Sequence, residues 1–189
     1  RYIDSGRYAA DFAHVVAAAT AWVEKHAPQV QRPAIVLDID ETSLSNWQAY
    51  RLNRWARILY GPCDLERGPC GIRAWQAMGQ SIALVPTRDL VDRARALGVA
   101  VFFVSGRPPE LREATERNLR DQGFAWTEVV LLPEDRQFKN AVEFKSAQRH
   151  HIAEQGYTIL LSMGDQQSDL DGGYAERTFK LPNPVYFLP

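Results

Sequence analysis

Two pairs of acids and three donors could do chemistry in this chain: Asp38 and Asp40, Asp165 and Asp169, and Ser105, Arg107 and Lys145. The first pair closes Ala34-Ile35-Val36-Leu37-Asp38-Ile39-Asp40-Glu41-Thr42, where an apolar run meets two acids two positions apart. If the backbone stays extended, both face one pocket; if it turns, one can face it through its carbonyl. Taken alone, the stretch also reads as a strand end with solvated acids. Together, four carboxylates would repel by about 4 kcal/mol per close pair at an effective dielectric of about 20. A hard divalent cation removes that penalty, and an all-oxygen donor set suits Mg²⁺, which often shares a phosphate with the protein. Ser105, Gly106, Arg107 and Lys145 would hold that phosphate through a hydroxyl, close backbone approach and positive charge. One carboxylate is then free to attack phosphorus.

The elements that must position these residues are legible as apolar runs. Ala34–Leu37, Val99–Val104, Val129–Leu132 and Tyr157–Met163 read as buried strands, each ending near a polar cluster. Between them, 87–98, about 110–122 and a segment starting near Lys145 and ending at Gly156 read as helices. Ser5 to about His26 is an amphipathic helix, with Asp4 or Ser5 available to cap it and Pro28 beyond its end. His14, His26 and the His150–His151 pair read as helix surface. The polar stretch 136–145, from Arg136, offers Lys139 and Lys145 as anion partners. The tail through Phe179, Leu181 and Tyr186 reads as an edge strand broken by Pro182 and Pro184. Alternation of strand and helix predicts an α/β fold, a Rossmann-like, mostly parallel sheet flanked by helices.

Residues 47–85 differ in character, holding Trp47, Trp55, Trp75, Tyr50, Tyr60 and both cysteines without a strong strand signal. They read as a small helical cap inserted over the mouth of a core made of 1–46 and 86–189. Its aromatics either stack on a substrate ring or form the cap's own small core. Cys63 and Cys70 lie in a Gly- and Pro-rich loop. A disulfide there would stabilise by about 2–3 kcal/mol and favour an oxidising compartment; two free thiols are the other reading. At 189 residues the chain suits one domain, and its formal net charge of −1 argues against a nucleic-acid polymer as partner. No apolar run approaches the roughly 18–20 residues of a membrane span, and no signal-peptide pattern opens the sequence.

Asp38-Ile39-Asp40-Glu41-Thr42, Ser105-Gly106-Arg107, Lys145 and Gly164-Asp165-Gln166-Gln167-Ser168-Asp169 resemble the four ordered motifs of haloacid-dehalogenase-type phosphatases. The likeness is greater to class B/C-type acid phosphatases, including plant acid phosphatases and vegetative storage proteins. It extends to 112–119, Phe144-Lys145-Ser146 and Phe179-Lys180-Leu181-Pro182-Asn183-Pro184, almost the whole chain. The resemblance implies a Mg²⁺-dependent hydrolase of small phosphomonoesters, secreted or periplasmic; the Trp-rich insertion suits 5′-nucleotides, while small sugar phosphates or a broad specificity fit as well. It implies that Asp38 is the nucleophile and Asp40 the general acid/base. Mg²⁺ would be held by the Asp38 carboxylate, the Asp40 carbonyl and Asp165, with Asp169 in support, while Ser105 and Lys145 grip the phosphoryl group. Gln167 departs from the Trp of many plant-like relatives. Two other readings are a catalytically silent storage or binding protein on the same fold, which Asp38 disfavours, and a receiver-type domain, which Asp40 and the aromatic insertion disfavour.

Overall fold

Three of the four apolar runs become the inner strands of one sheet and the run at Val129 one of its edges, because a strand buried on both faces needs continuous apolar sequence. The computed structural model describes residues 2–133 and 138–188. Strands β1 (Pro33–Leu37), β4 (Ala100–Ser105), β5 (Glu128–Leu131), β6 (Thr158–Gly164) and β7 (Arg177–Lys180) pair in the order β5-β4-β1-β6-β7. Every pairing is parallel, so all five carboxyl ends share one edge. The chain builds outward from β1 through β4 to β5, then crosses to β6 and β7 on the other side. That reversal beside β1 is where an open α/β sheet leaves a crevice for a ligand.

Period-two alternation on β1 serves both faces of the sheet. Ile35 and Leu37 pack with Val101, Phe103 and Leu161 against α1 (Arg7–His26) and α4 (Val85–Ala96). Ala34 and Val36 pack with Phe102, Val104 and Ile159 against Phe144 and Ile152 of α6 (Ala141–Glu154). Helix α1 begins two residues later than the reading from Ser5, with Gly6 in the left-handed region at its N-cap in place of Asp4 or Ser5. Its inward stripe is Tyr8, Phe12, Val16, Ala19 and Val23. Helix α6 begins four residues before Lys145, because the Asn140 side chain accepts the amide hydrogen of Glu143 and caps it there. Arg136, where the polar stretch begins, lies outside the described residues.

Within 47–85 are two short helices, α2 (Trp47–Leu52) and α3 (Ile72–Met78), and a strand that the sequence did not signal. This is β3 (Ile82–Ala83), antiparallel to β2 (Leu44–Ser45). Ala49, Tyr50, Cys70, Ile72 and Trp75 form a separate small core there. Cys63 and Cys70 are bonded, and no described cysteine is free. Helix α5 (Arg112–Asp121) follows β4 through a short 3₁₀ turn, Pro109–Leu111. Among the described residues no helix is long and apolar enough to cross a membrane.

Candidate active site

Asp38 leaves the end of β1 with its amide donating to the Met163 carbonyl of β6 at 3.0 Å. The chain then turns tightly: the amides of Ser43 and Leu44 converge on the Ile39 carbonyl, Glu41 adopts φ 53°, and Ser43 Oγ donates to the Asp38 carbonyl at 2.8 Å. This turn lets Asp38 and Asp40 both line one cleft of about 90 Å³, with Ser105, Gly106, Arg107 and Lys145. Asp165 and Asp169 lie beneath it. Oxygens of Asp38, Asp165 and Asp169 fall within 4.8 Å of one another, and all three side chains are buried. All eight residues singled out in the sequence therefore converge at the carboxyl edge of the sheet. Lys139 does not: it is exposed and does not line the cleft.

The two leading acids sit in different electrostatic settings. Lys145 Nζ donates to Asp38 Oδ1 at 2.7 Å and also to Asp169 Oδ1. Burial raises the Asp38 pKa well above the usual carboxylate range; Lys145 pulls the other way, and Asp169, Asp165 and Asp40 add to the rise. Burial alone would lower the Lys145 pKa, but Asp169 and Asp38 outweigh it and raise it. Asp40 instead receives Arg107 Nη2 at 2.7 Å, Asn46 Nδ2 at 2.7 Å and Gln76 Nε2 at 3.1 Å. Burial would raise its pKa too, yet Arg107, followed by Asn46 and Gln76, holds it below the usual value. Arg107 is wholly enclosed and its remaining arm donates to Thr115 Oγ1 at 3.0 Å. Its charge is thus committed to Asp40, whereas the sequence suggested it as a phosphate ligand.

The lower acids are held by the segments that follow β6. Asp165 accepts from Thr42 Oγ1 at 3.2 Å, from Asn183 Nδ2 at 2.7 Å and from the Gln166 side chain. Burial and Asp169 push its pKa up to about 6. Asp169 Oδ2 accepts the Gln166 amide hydrogen at 2.8 Å, and a methyl group on Gly164 would overlap this same carboxylate. The requirement for glycine there is therefore steric. Gln167, the departure from the plant-like pattern, is exposed and donates to Asp171.

Several residues that support the cleft had no role assigned to them from the sequence. Glu41 is 1 % exposed and accepts from the Asn46 amide at 2.6 Å and the Tyr186 hydroxyl at 3.0 Å. Burial, then Asp40 and Asp165, push its pKa up to about 8. Asn46 ties this together: it bonds Asp40 and Glu41 while its Oδ1 accepts from Trp75 Nε1 and Ser81 Oγ. The tail returns across the cleft, with Asn183 on Asp165, Tyr186 on Glu41 and the Leu188 amide on Gln166 Oε1. Tryptophans do not line it. Trp75 is buried in the small core, Trp47 packs on Tyr8 of α1, and the cleft's rings are Tyr50 and Tyr186. A larger apolar cavity of about 610 Å³ beside Trp47 and Trp75 contains no acid.

An acid at the end of a central parallel strand, a hydroxyl after the next, a buried lysine and a second pair of acids meet at the sheet edge where open α/β folds place their ligands. The family model for HAD superfamily, subfamily IIIB (Acid phosphatase) matches residues 1–189, and the chain belongs to that family. It is 33% identical over 159 residues to acid phosphatase 1 of Solanum lycopersicum, covering 83% of this chain and 60% of that protein. It is 34% identical over 161 residues to the stem 28 kDa glycoprotein of Glycine max, covering 83% and 61%. The chain thus spans about three fifths of the length of these curated relatives. Its fold is similar to that of the class C acid phosphatase from Bacillus anthracis, with a TM-score of 0.76 at 22% identity over 98% of this chain and 82% of that one.

Proposed function

We propose that this chain hydrolyses small phosphomonoesters through a phosphoryl group carried on Asp38, with Mg²⁺ as its cation. The observation that carries this reading is the asymmetry of two acids in one cleft: Asp38 beside Lys145, Asp40 clamped by Arg107, Asn46 and Gln76. An oxygen of Asp38 attacks phosphorus while Lys145, Ser105 and the Gly106 backbone hold the phosphoryl oxygens. The bond from phosphorus to the ester oxygen breaks, and Asp40 passes a proton to the departing alkoxide. Arg107 favours the ionised form of Asp40, so that proton enters with a monoanionic ester. Asp40, again a carboxylate, then takes a proton from water as its oxygen attacks phosphorus. The bond from phosphorus to Asp38 breaks, releasing phosphate.

The donor set fits a metal. Three buried carboxylates, Asp38, Asp165 and Asp169, face a single lysine, and all their donors are hard oxygens. The Asp40 side chain is occupied, so any share it has in holding the cation falls to its backbone carbonyl. When bound, a divalent cation supplies charge neutralisation and polarises the phosphoryl group. Residues 47–85 serve as the cap over the core in this reading. The Cys63–Cys70 bond supports a secreted or periplasmic setting.

Hydrolysis of p-nitrophenyl phosphate tests the proposal. Activity should require Mg²⁺ and vanish in EDTA. Asp38→Asn should lower kcat at least about a thousandfold while the fold, followed by circular dichroism, is kept. Full turnover by that variant would remove the nucleophile assignment.

A further inference from the structure

Four cations line the cleft, and two of them already have acids. Arg107 is committed to Asp40 and Lys145 to Asp38 and Asp169. The other two, Arg57 and Arg73, lie at the rim contributed by residues 47–85. Neither forms an ion pair among the described residues. Arg73 is half-buried in the first turn of α3, and among the described residues its one side-chain bond is a 3.4 Å contact from Nη1 to Gln76 Oε1. Arg57 is exposed, with its guanidinium 5.2 Å from the Tyr186 ring centre, so the ring fixes its position without neutralising its charge. Burial lowers the Arg73 pKa most; Asp40, then Tyr60 and Glu110, pull it back up, and Arg57 adds a smaller lowering, so the two guanidinium groups are near enough to repel. Like charges at one rim, neither held in an ion pair among the described residues, are stabilised when an anion arrives between them.

The size of the cleft decides which anion this can be. At about 90 Å³ the space beside the acids is small, on the scale of a phosphoryl group. The rest of a substrate must therefore leave along the rim, past Tyr50, Tyr186 and the two arginines. We propose that Arg57 and Arg73 form a second anion subsite, making the preferred substrates phosphomonoesters whose leaving group carries another phosphate or a carboxylate. This rests on the phosphatase reading and names its substrate class. Guanidinium groups suit either oxyanion, since both present paired oxygens to a planar fork.

Matched substrates test it: fructose 1,6-bisphosphate against fructose 6-phosphate for a second phosphate, and 3-phosphoglycerate against glycerol 1-phosphate for a carboxylate. The protein should favour the doubly anionic member of at least one pair by about tenfold in kcat/KM, as one added charge-assisted contact implies. The pair that shows the preference identifies the second anion. Arg57→Ala/Arg73→Ala should bring that ratio to within about twofold, and Arg73→Lys should keep part of it. Binding of the same four compounds to the Asp38→Asn variant, by calorimetry, reads the subsite without turnover. Absence of all hydrolysis with the binding preference intact would remove the phosphatase reading and leave the subsite. No preference for the doubly anionic member in either pair, or a preference that survives the double variant, would overturn the subsite itself.

Discussion

Asp40 and Arg107 show how much of this site is decided by single contacts. The arginine side chain is fully enclosed, and its fork meets both oxygens of Asp40 while its third arm reaches Thr115. Replacing it with methionine keeps much of the volume but leaves a partly buried carboxylate with only the amides of Asn46 and Gln76. Arg107→Met should therefore cost about 2–4 kcal/mol near neutral pH, a little under the value for a fully buried pair, measured by denaturant unfolding. The sign of its pH dependence follows from the depressed pKa of Asp40. Stability from a carboxyl whose folded value lies below its unfolded one is fully present above about pH 4 and is lost as pH falls through the folded value. The penalty of the variant should thus be smaller at pH 3 than at pH 7. An equal penalty at both would mean that Arg107 acts by packing and not by charge.

At the scale of elements, α1 carries one group whose chemistry is not satisfied. Tyr8 is 5 % exposed in the stripe that covers the sheet, and its hydroxyl has no hydrogen-bond partner among the described residues. Its rings are well placed, against Trp47 at 4.3 Å and Phe12 at 5.9 Å between centroids. Tyr8→Phe keeps those contacts and removes a buried donor, so it should be neutral or raise stability by about 1 kcal/mol in the same unfolding assay. A loss of more than about 1 kcal/mol would show that the hydroxyl has a bridging partner. The elements also explain what could be read in the sequence. Long apolar runs such as Val99–Val104 marked strands reliably because burial on both faces of a parallel sheet demands them. Ile82–Ala83 gave no such mark, since a two-residue strand is defined by its partner Leu44–Ser45 and not by its own pattern. The start of α6 was readable, because Asn140 and Glu143 have the spacing of a cap, but Lys145 drew the boundary toward itself. The eight site residues were legible as motifs. Their companions were not, for Glu41, Asn46, Gln76 and Tyr186 acquire roles only when the tail and the 47–85 segment fold back over β1.

Across the whole molecule, the charge at the sheet edge links stability, pH and metal. Asp38, Asp165 and Asp169 place three carboxylates around Lys145, and burial with mutual repulsion raises the pKa of Asp38 and takes that of Asp165 to about 6. A carboxyl with a raised folded pKa binds a proton in the native state that the unfolded chain has already released. Its native state therefore loses relative stability as pH rises from about 4 toward about 6, and above that the repulsion is fully expressed. A divalent cation binds the native state alone and needs these groups deprotonated, so it competes with protons for one site. The Tm gained on adding Mg²⁺ to EDTA-treated protein should consequently be larger at pH 7.5 than at pH 5. Asp165→Asn should behave in the opposite sense to a simple loss of contact: without metal it should melt at the same temperature as the parent or higher at pH 7.5, and gain much less from Mg²⁺. Differential scanning fluorimetry of both proteins at the two pH values, with and without Mg²⁺, measures this. A gain from Mg²⁺ that is the same in both proteins would place the cation elsewhere than on these three acids.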